Sequence, residues 1–283
     1  MTLAPGSSMP KRVILHVGLP KTGTSAFQDA LELNRDAVEA ADISFTTKAQ
    51  VGKEFRDRVR DIVRHGANRW RLSRLDKAAQ GIRDWVDRQP HSVALITDEN
   101  LLGWRIRDMY RMSFDLGPAQ AMDALTRAFA GHDLHWVLYR REAQAHLRSS
   151  YRYFVKLRGV AEQFDEWSRH IGTPESLDRL VDDAAQAFGQ AGHVFDMEAE
   201  KAAPHPWGAP ILSQAGMSDD QIAALAPAPR TNTGLPDDLL DYVRDINAIG
   251  LSKTERLKAV DVVLRLHADL GGGIPREAYG RVK

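Results

Sequence analysis

Four short apolar runs stand out in a chain that otherwise places apolar residues every three or four positions. Arg12 to Val17 (RVILHV) is β-branched, apolar and closed by Gly18, and its length predicts a buried strand. His91 to Thr97 (HSVALIT), Leu134 to Arg140 (LHWVLYR) and His193 to Met197 (HVFDM) predict three more. Helical spacing fills the intervals. AFQDALELNRDAVEAA repeats Ala26, Phe27, Ala30, Leu31 and Asn34 on one face and lacks Gly and Pro. Residues 53–88, 118–130, 142–158 and 174–190 read as helices, as do Pro236 to Ile249 and Ser252 to Leu270, the last stopped by Gly271–Gly273. The LLGW segment after Asn100 also reads as helical, and Pro204, Pro206, Gly208 and Pro210 mark a loop.

Strands that alternate with helices predict an α/β fold, a central and mainly parallel sheet with helices on both faces. No repeat, low-complexity stretch or linker divides the chain, so residues 11–283 read as one domain behind a mobile polar tail at 1–10. A length of 283 residues suffices for a sizeable core. Lysine plus arginine equal aspartate plus glutamate at 38 each, so any anion site must be a local cluster, and general nucleic-acid binding is not expected. The chain has no cysteine, which excludes disulfides, thiol nucleophiles and Cys-ligated metal. No leader-like segment precedes the first strand and no run approaches the roughly 18 apolar residues of a membrane span, so the expected location is cytoplasmic.

Chemistry concentrates after the first strand. Gly18-Leu19-Pro20-Lys21-Thr22-Gly23-Thr24-Ser25 joins a strand to a helix. Such a turn aims several backbone N–H groups and the positive end of the helix dipole at one point. Gly18 and Gly23 permit close approach, Lys21 adds a charge, and Thr22, Thr24 and Ser25 add hydroxyls, which together make a phosphate cradle. It is neither a Walker A loop, which needs Lys-Ser or Lys-Thr directly after the second glycine, nor a GxGxxG fingerprint.

HVGLPKTGTS resembles the 5′-phosphosulfate loop of sulfotransferases that use 3′-phosphoadenosine 5′-phosphosulfate (PAPS), in the Lys-Thr-Gly-Thr form of bacterial and Golgi carbohydrate members. The resemblance implies a P-loop-like α/β fold, Lys21 on the transferring sulfuryl group, and Thr22 to Ser25 on the 5′-phosphate. The family also carries an arginine followed eight residues later by a serine, on the 3′-phosphate. Arg141 and Ser149, within REAQAHLRSSY, match that spacing. Arg141 would sit at a strand end, where open α/β sheets bind ligands, and its planar fork suits phosphate. A solvated basic helix face with Arg148, Arg152 and Lys156 is the plainer reading of that stretch.

ITDENLLG resembles the family's segment whose glutamate is the proposed base, which points to Glu99, with Asp98 as rival and a helix N-terminal cap as the structural alternative. No HExxH occurs, and no metal is expected. Arg230, in RTNTGLP, corresponds weakly to a basic loop that closes over the nucleotide, or is a turn leading into a helix. Residues 53–88 hold 11 Lys/Arg against 6 Asp/Glu together with Trp70 and Trp85, which suits a saccharide or anionic acceptor, or equally a solvated face with Trp in the core. The expected function is sulfuryl transfer from PAPS to a carbohydrate-like or small acceptor. A P-loop kinase or ATPase, and a non-catalytic protein that binds PAP (3′-phosphoadenosine 5′-phosphate, the spent donor), are the alternatives.

Overall fold

The fold is seen in a computed structural model that describes residues 9–47, 51–227 and 234–269. Arg230, Gly271–Gly273 and most of the N-terminal tail lie outside the described residues. The chain divides into two compact units, Met1–Ala143 with Thr173–Thr231, and Gln144–Gly172 with Asn232–Lys283.

The first unit opens with β1 (Arg12–His16), α1 (Thr24–Leu33), α2 (Arg35–Ala40) and β2 (Ile43–Thr47). It continues through α3 (Lys53–His65), α4 (Arg69–Asp87), β3 (Val93–Thr97), α5 (Pro118–Ala128) and β4 (Asp133–Arg140). The chain then enters α6 (Ala143–Arg158) and α7 (Phe164–Ile171) of the second unit. It returns with α8 (Pro174–Phe188), β5 (Gly192–Asp196), α9 (Met197–Ala202), α10 (Ala209–Gln214) and α11 (Asp219–Ala223). The second unit closes with α12 (Leu240–Ala248) and α13 (Lys253–Asp269).

The five strands among the described residues are all parallel, in the order β2-β3-β1-β4-β5. A parallel sheet must be covered on both faces, and its strands are apolar on both sides for that reason. On one face Ile14, Leu95, Val137 and Tyr139 pack with Phe27 and Leu31 of α1 and Ile211 of α10. On the other, Val13, Leu15, Ile96 and Leu138 are fully or almost fully buried, and Trp136 stacks on Phe188 of α8 at 5.3 Å. β1 lies at the centre, with β3 on one side and β4 on the other. The connections leave β1 in opposite directions, so a crevice forms at the carboxyl edge beside it.

Four departures from the sequence expectations have local causes. β2 was not expected. Its ISFTT alternates with Ser44 and Thr46, yet all but Thr47 are buried at an edge beside β3. The helix that starts after the glycine loop breaks at Asn34, whose amide bonds the Ala226 backbone in both directions, at 2.9 Å to its carbonyl and 2.8 Å from its N–H. The basic helical stretch is two helices, and Asn68 caps the second by accepting from Arg71 N–H at 2.9 Å. The LLGW segment forms turns and no helix, its Leu101, Leu102 and Trp104 buried in the core.

In the second unit Tyr151 packs against Phe164 and Trp167, and its hydroxyl donates to the Glu162 carbonyl at 2.6 Å. Arg256 of α13 is 7% exposed and donates to the carbonyls of Leu157 at 3.0 Å and Lys156 at 3.4 Å. It places a cation at the negative end of α6. Among the described residues, no helix is long and apolar enough to cross a membrane. Arg256→Met leaves those carbonyls bare and is expected to cost about 1–3 kcal/mol in urea denaturation; an unchanged midpoint and slope would remove Arg256 from the fold's support.

Candidate functional site

β1, β3, β4 and β5 each deliver polar residues to the carboxyl edge. The chain leaves β1 through Val17, whose N–H donates to the Val137 carbonyl at 3.0 Å, and turns into α1. Lys21 has φ +73° and Gly23 φ +82°. Lys21 has a Cβ, so its left-handed conformation costs about 1–2 kcal/mol, and the surroundings hold it there. Arg141 Nη1 donates to the Lys21 carbonyl at 2.8 Å. Trp207 Nε1 donates to the Gly23 carbonyl at 3.1 Å. The indole covers Gly23 so closely that a Cβ there would lie 2.4 Å from the ring.

Within the loop, Thr22 is fully buried and its hydroxyl donates to the Leu19 carbonyl at 2.5 Å, closing the turn internally. Leu19 and Pro20 are also buried, while Lys21, Gly23 and Ser25 are part-exposed. α1 starts with no side-chain cap and no acid in its first turn. Thr24 is 4% exposed, and its hydroxyl has no hydrogen-bond partner. A Cβ on Gly18 would meet that hydroxyl at 3.3 Å and His16 Nε2 at 3.0 Å, so both groups converge on the Gly18 backbone. A buried hydroxyl without a partner is costly, and this one lies in the first turn of a helix that has no side-chain cap.

His16 is fully buried, with Nδ1 2.9 Å from the Thr97 hydroxyl and its ring edge-on to Phe27 and Tyr139. Burial pulls its pKa down to about 3, so the imidazole is neutral at neutral pH. Gln28 completes the strip by donating to the Thr97 carbonyl at 2.9 Å.

Asp98 follows β3 directly. Its N–H donates to the His16 carbonyl at 3.0 Å, and its carboxylate accepts from Asn100 N–H at 3.0 Å and pairs with Arg56 of α3. Burial raises its pKa, an effect larger than the opposing pull of Arg56. Asp98 is therefore committed to holding the turn. Glu99 stands next to it, 8% exposed. The reading of this pair as a helix cap has no helix to act on, because turns follow.

Arg141 ends β4. Besides the Lys21 carbonyl it faces Glu198 of α9, with Nε 3.7 Å from the carboxylate. Lys201 joins the same group 3.9 Å from Glu198, and its pKa is lowered by burial and by the nearby Arg141 cation. Ser149 is part-exposed on α6 and belongs to the second unit, so the loop, Glu99 and Arg141 share the first unit without it. The arginine cluster of residues 53–88 lies in the first unit, with Trp70 60% exposed and apart from the core.

Sequence reasoning missed the group that covers the loop. Trp207 stacks on Tyr139 with centroids 5.5 Å apart. Glu200, 6% exposed, accepts from the Gly208 N–H and faces the Tyr139 hydroxyl; burial raises its pKa. The available signal was an aromatic set between Pro206 and Gly208 in the segment that follows β5. Among the described residues no group of three or more His, Asp or Glu is arranged to hold a metal ion.

His16 makes stability depend on pH. Its folded value of about 3 lies below its ordinary 6.5, so the unfolded chain binds the extra proton between them. Stability therefore falls as pH drops from about 6.5 towards 3, by up to about 1.4 kcal/mol per pH unit. Urea denaturation of the parent chain and of His16→Gln across that range checks it. A shallower slope in the variant is expected, and parallel slopes would mean that His16 does not carry the dependence.

No protein-family model matches this chain, and no curated protein matches it. Among solved structures it is similar to a sulfotransferase from Alicyclobacillus acidocaldarius, at 18% identity over 90% of this chain and 96% of that one, with a TM-score of 0.41. The functional case accordingly rests on the residues at the carboxyl edge.

Proposed function

We propose that this protein transfers a sulfuryl group from PAPS to a hydroxyl or amine of a carbohydrate-like or small acceptor and releases PAP. The observation that carries the reading is the loop after β1. Its uncapped helix start, the partnerless buried Thr24 hydroxyl and Lys21 lie together, braced by Arg141 from β4. A phosphosulfate supplies anionic oxygens for each of those donors.

In this reading the backbone from Pro20 to Ser25 and the Thr24 and Ser25 hydroxyls hold the 5′-phosphate, with Gly18 and Gly23 giving the room. Lys21 meets the charge that develops on the sulfuryl oxygens. Arg141 holds the 3′-phosphate. Glu99 takes the acceptor proton. The acceptor oxygen forms a bond to sulfur as the bond from sulfur to the phosphate oxygen breaks, and PAP leaves with that electron pair. Proton and charge balance within acceptor, donor and Glu99.

Calorimetric titration with PAP, with ATP and Mg²⁺ as control, tests the donor site. Tight PAP binding that Arg141→Ala weakens about tenfold or more is expected for a lost charged phosphate contact. Binding of ATP with no binding of PAP would sink the reading and favour a kinase.

Two variants then separate the chemical roles. Lys21→Ala is expected to lower sulfate transfer by about a hundredfold or more with the fold intact. Glu99→Gln is expected to lower turnover about a hundredfold or more with PAP affinity nearly unchanged. A Glu99→Gln variant that instead loses melting temperature and keeps turnover would assign Glu99 a structural role.

A further inference from the structure

The first unit carries a second polar concavity, lined from α3, α4 and the segment after Glu99. It encloses about 690 Å³ and includes Arg58, Arg60, Arg64, Arg71, Arg74 and Arg105. That volume is in the range of ligand pockets, but the lining is mostly charged, which fits a hydrated anionic ligand better than an apolar one. Four of the arginines have partners: Arg58 with Glu54 at 3.1 Å, Arg60 with Asp57 at 3.1 Å, Arg71 with Asp61 at 3.1 Å, and Arg105 with Asp108 at 2.7 Å. Arg64 and Arg74 form no ion pair among the described residues; Arg74 lies over the Trp70 ring, 4.5 Å from its centroid. Trp70 also lines the groove and is 60% exposed, unusual for so large an apolar surface.

We propose that this groove binds an acidic oligosaccharide, whose carboxylate or sulfate groups pair with Arg64 and Arg74 while a sugar ring packs its C–H face on Trp70. Asp57 and Asp61 also line the groove, and they separate a saccharide from other polyanions. Sugar hydroxyls can donate to these carboxylates, whereas the phosphodiesters of DNA have no donor to offer and would meet like charge. The groove and the candidate reaction site are linked through shared elements. Arg56, one residue before the groove's first aspartate on α3, pairs with Asp98 beside Glu99, and Arg105 lies six residues beyond Glu99. From Arg56 to Arg64 the helix rises about 12 Å, so a ligand that spans both places is an oligosaccharide and not a single sugar. The identification of this ligand as the sulfate acceptor rests on the sulfuryl-transfer reading; the binding site itself does not.

Titration calorimetry of the full chain in about 0.15 M salt tests it, with a size-defined sulfated, uronate-bearing hexasaccharide as probe. Its desulfated, carboxyl-reduced counterpart and a single-stranded DNA of equal charge are the controls. The sulfated probe is expected to bind at least about tenfold more tightly than either control. The double variant Arg64→Ala/Arg74→Ala is expected to weaken it about tenfold or more, and Trp70→Ala about threefold or more, with Trp70→Phe restoring most of the loss. Arg265→Ala, at an exposed arginine of α13, is expected to leave it unchanged. Equal binding by the double variant and the parent chain, or DNA bound as tightly as the hexasaccharide, would overturn the proposal. PAP titrated into the same samples keeps the two readings apart. PAP binding without hexasaccharide binding removes the groove proposal alone, and hexasaccharide binding without PAP binding removes the transferase reading alone.

Discussion

Two hydrogen bonds from distant residues brace the turn that leaves β1: Arg141 to the carbonyl of Lys21, and Trp207 to the carbonyl of Gly23. The turn needs them because Lys21 adopts a left-handed backbone that a residue with a Cβ avoids. Neither partner is local. Arg141 arrives at the end of β4, and Trp207 arrives after β5, stacked on Tyr139. The conformation of the loop thus depends on the strand order that sets β4 beside β1 and β5 beside β4. The cost is repaid in direction, since the same turn points the start of α1 and the Thr24 hydroxyl at one place.

A second dependence runs across the sheet towards β3. His16 and Thr97 face each other in register, and their side chains bond at 2.9 Å. One residue later the Asp98 N–H reaches back to the His16 carbonyl, and its carboxylate pairs with Arg56. A neutral imidazole suits this place. A charged one would be desolvated, and the loop that follows already concentrates the uncapped N–H groups of the α1 start. Asp98 pairs with Arg56 and so anchors α3. Between the two acids it is the sequence resemblance that favours Glu99, next in the chain, as the base.

The amount of this that was legible in the sequence follows from the range of the interactions. β1, β3 and β4 announced themselves because strands buried on both faces must be apolar, β5 by its short β-branched and aromatic run although it is a part-exposed edge strand, and the glycine loop because its chemistry is contiguous. β2 escaped because Ser44 and Thr46 interrupt its apolar pattern, yet burial of the strand beside β3 admits them. LLGW looked helical because its apolar residues are closely spaced; the structure buries them in turns instead. Trp207, Glu200 and Arg56 could not be read as site residues, since each acts on a segment about 40 or more residues away or, for Glu200, through the loop that carries Trp207. Arg141 was legible through the resemblance and its spacing to Ser149; its hydrogen bond to the Lys21 carbonyl was not, because that contact joins residues 120 positions apart.

Neutral composition conceals a sorted charge. Residues 53–88 hold five more bases than acids, so the rest of the chain holds five more acids than bases. At an ionic strength near 0.15 M the field of a charge fades over about 8 Å, so the two regions do not cancel for a ligand that approaches either one. An anion meets the helices around the groove as a basic surface. The loop after β1 is basic on different grounds: it uses one lysine and a set of backbone dipoles, suited to a small, dense anion held at a single point. The groove uses separate guanidiniums interleaved with carboxylates, suited to anions distributed along a chain of hydroxyls. The two designs differ as the proposed donor, compact and dense in charge, differs from the proposed acceptor, whose charges are spread along a chain.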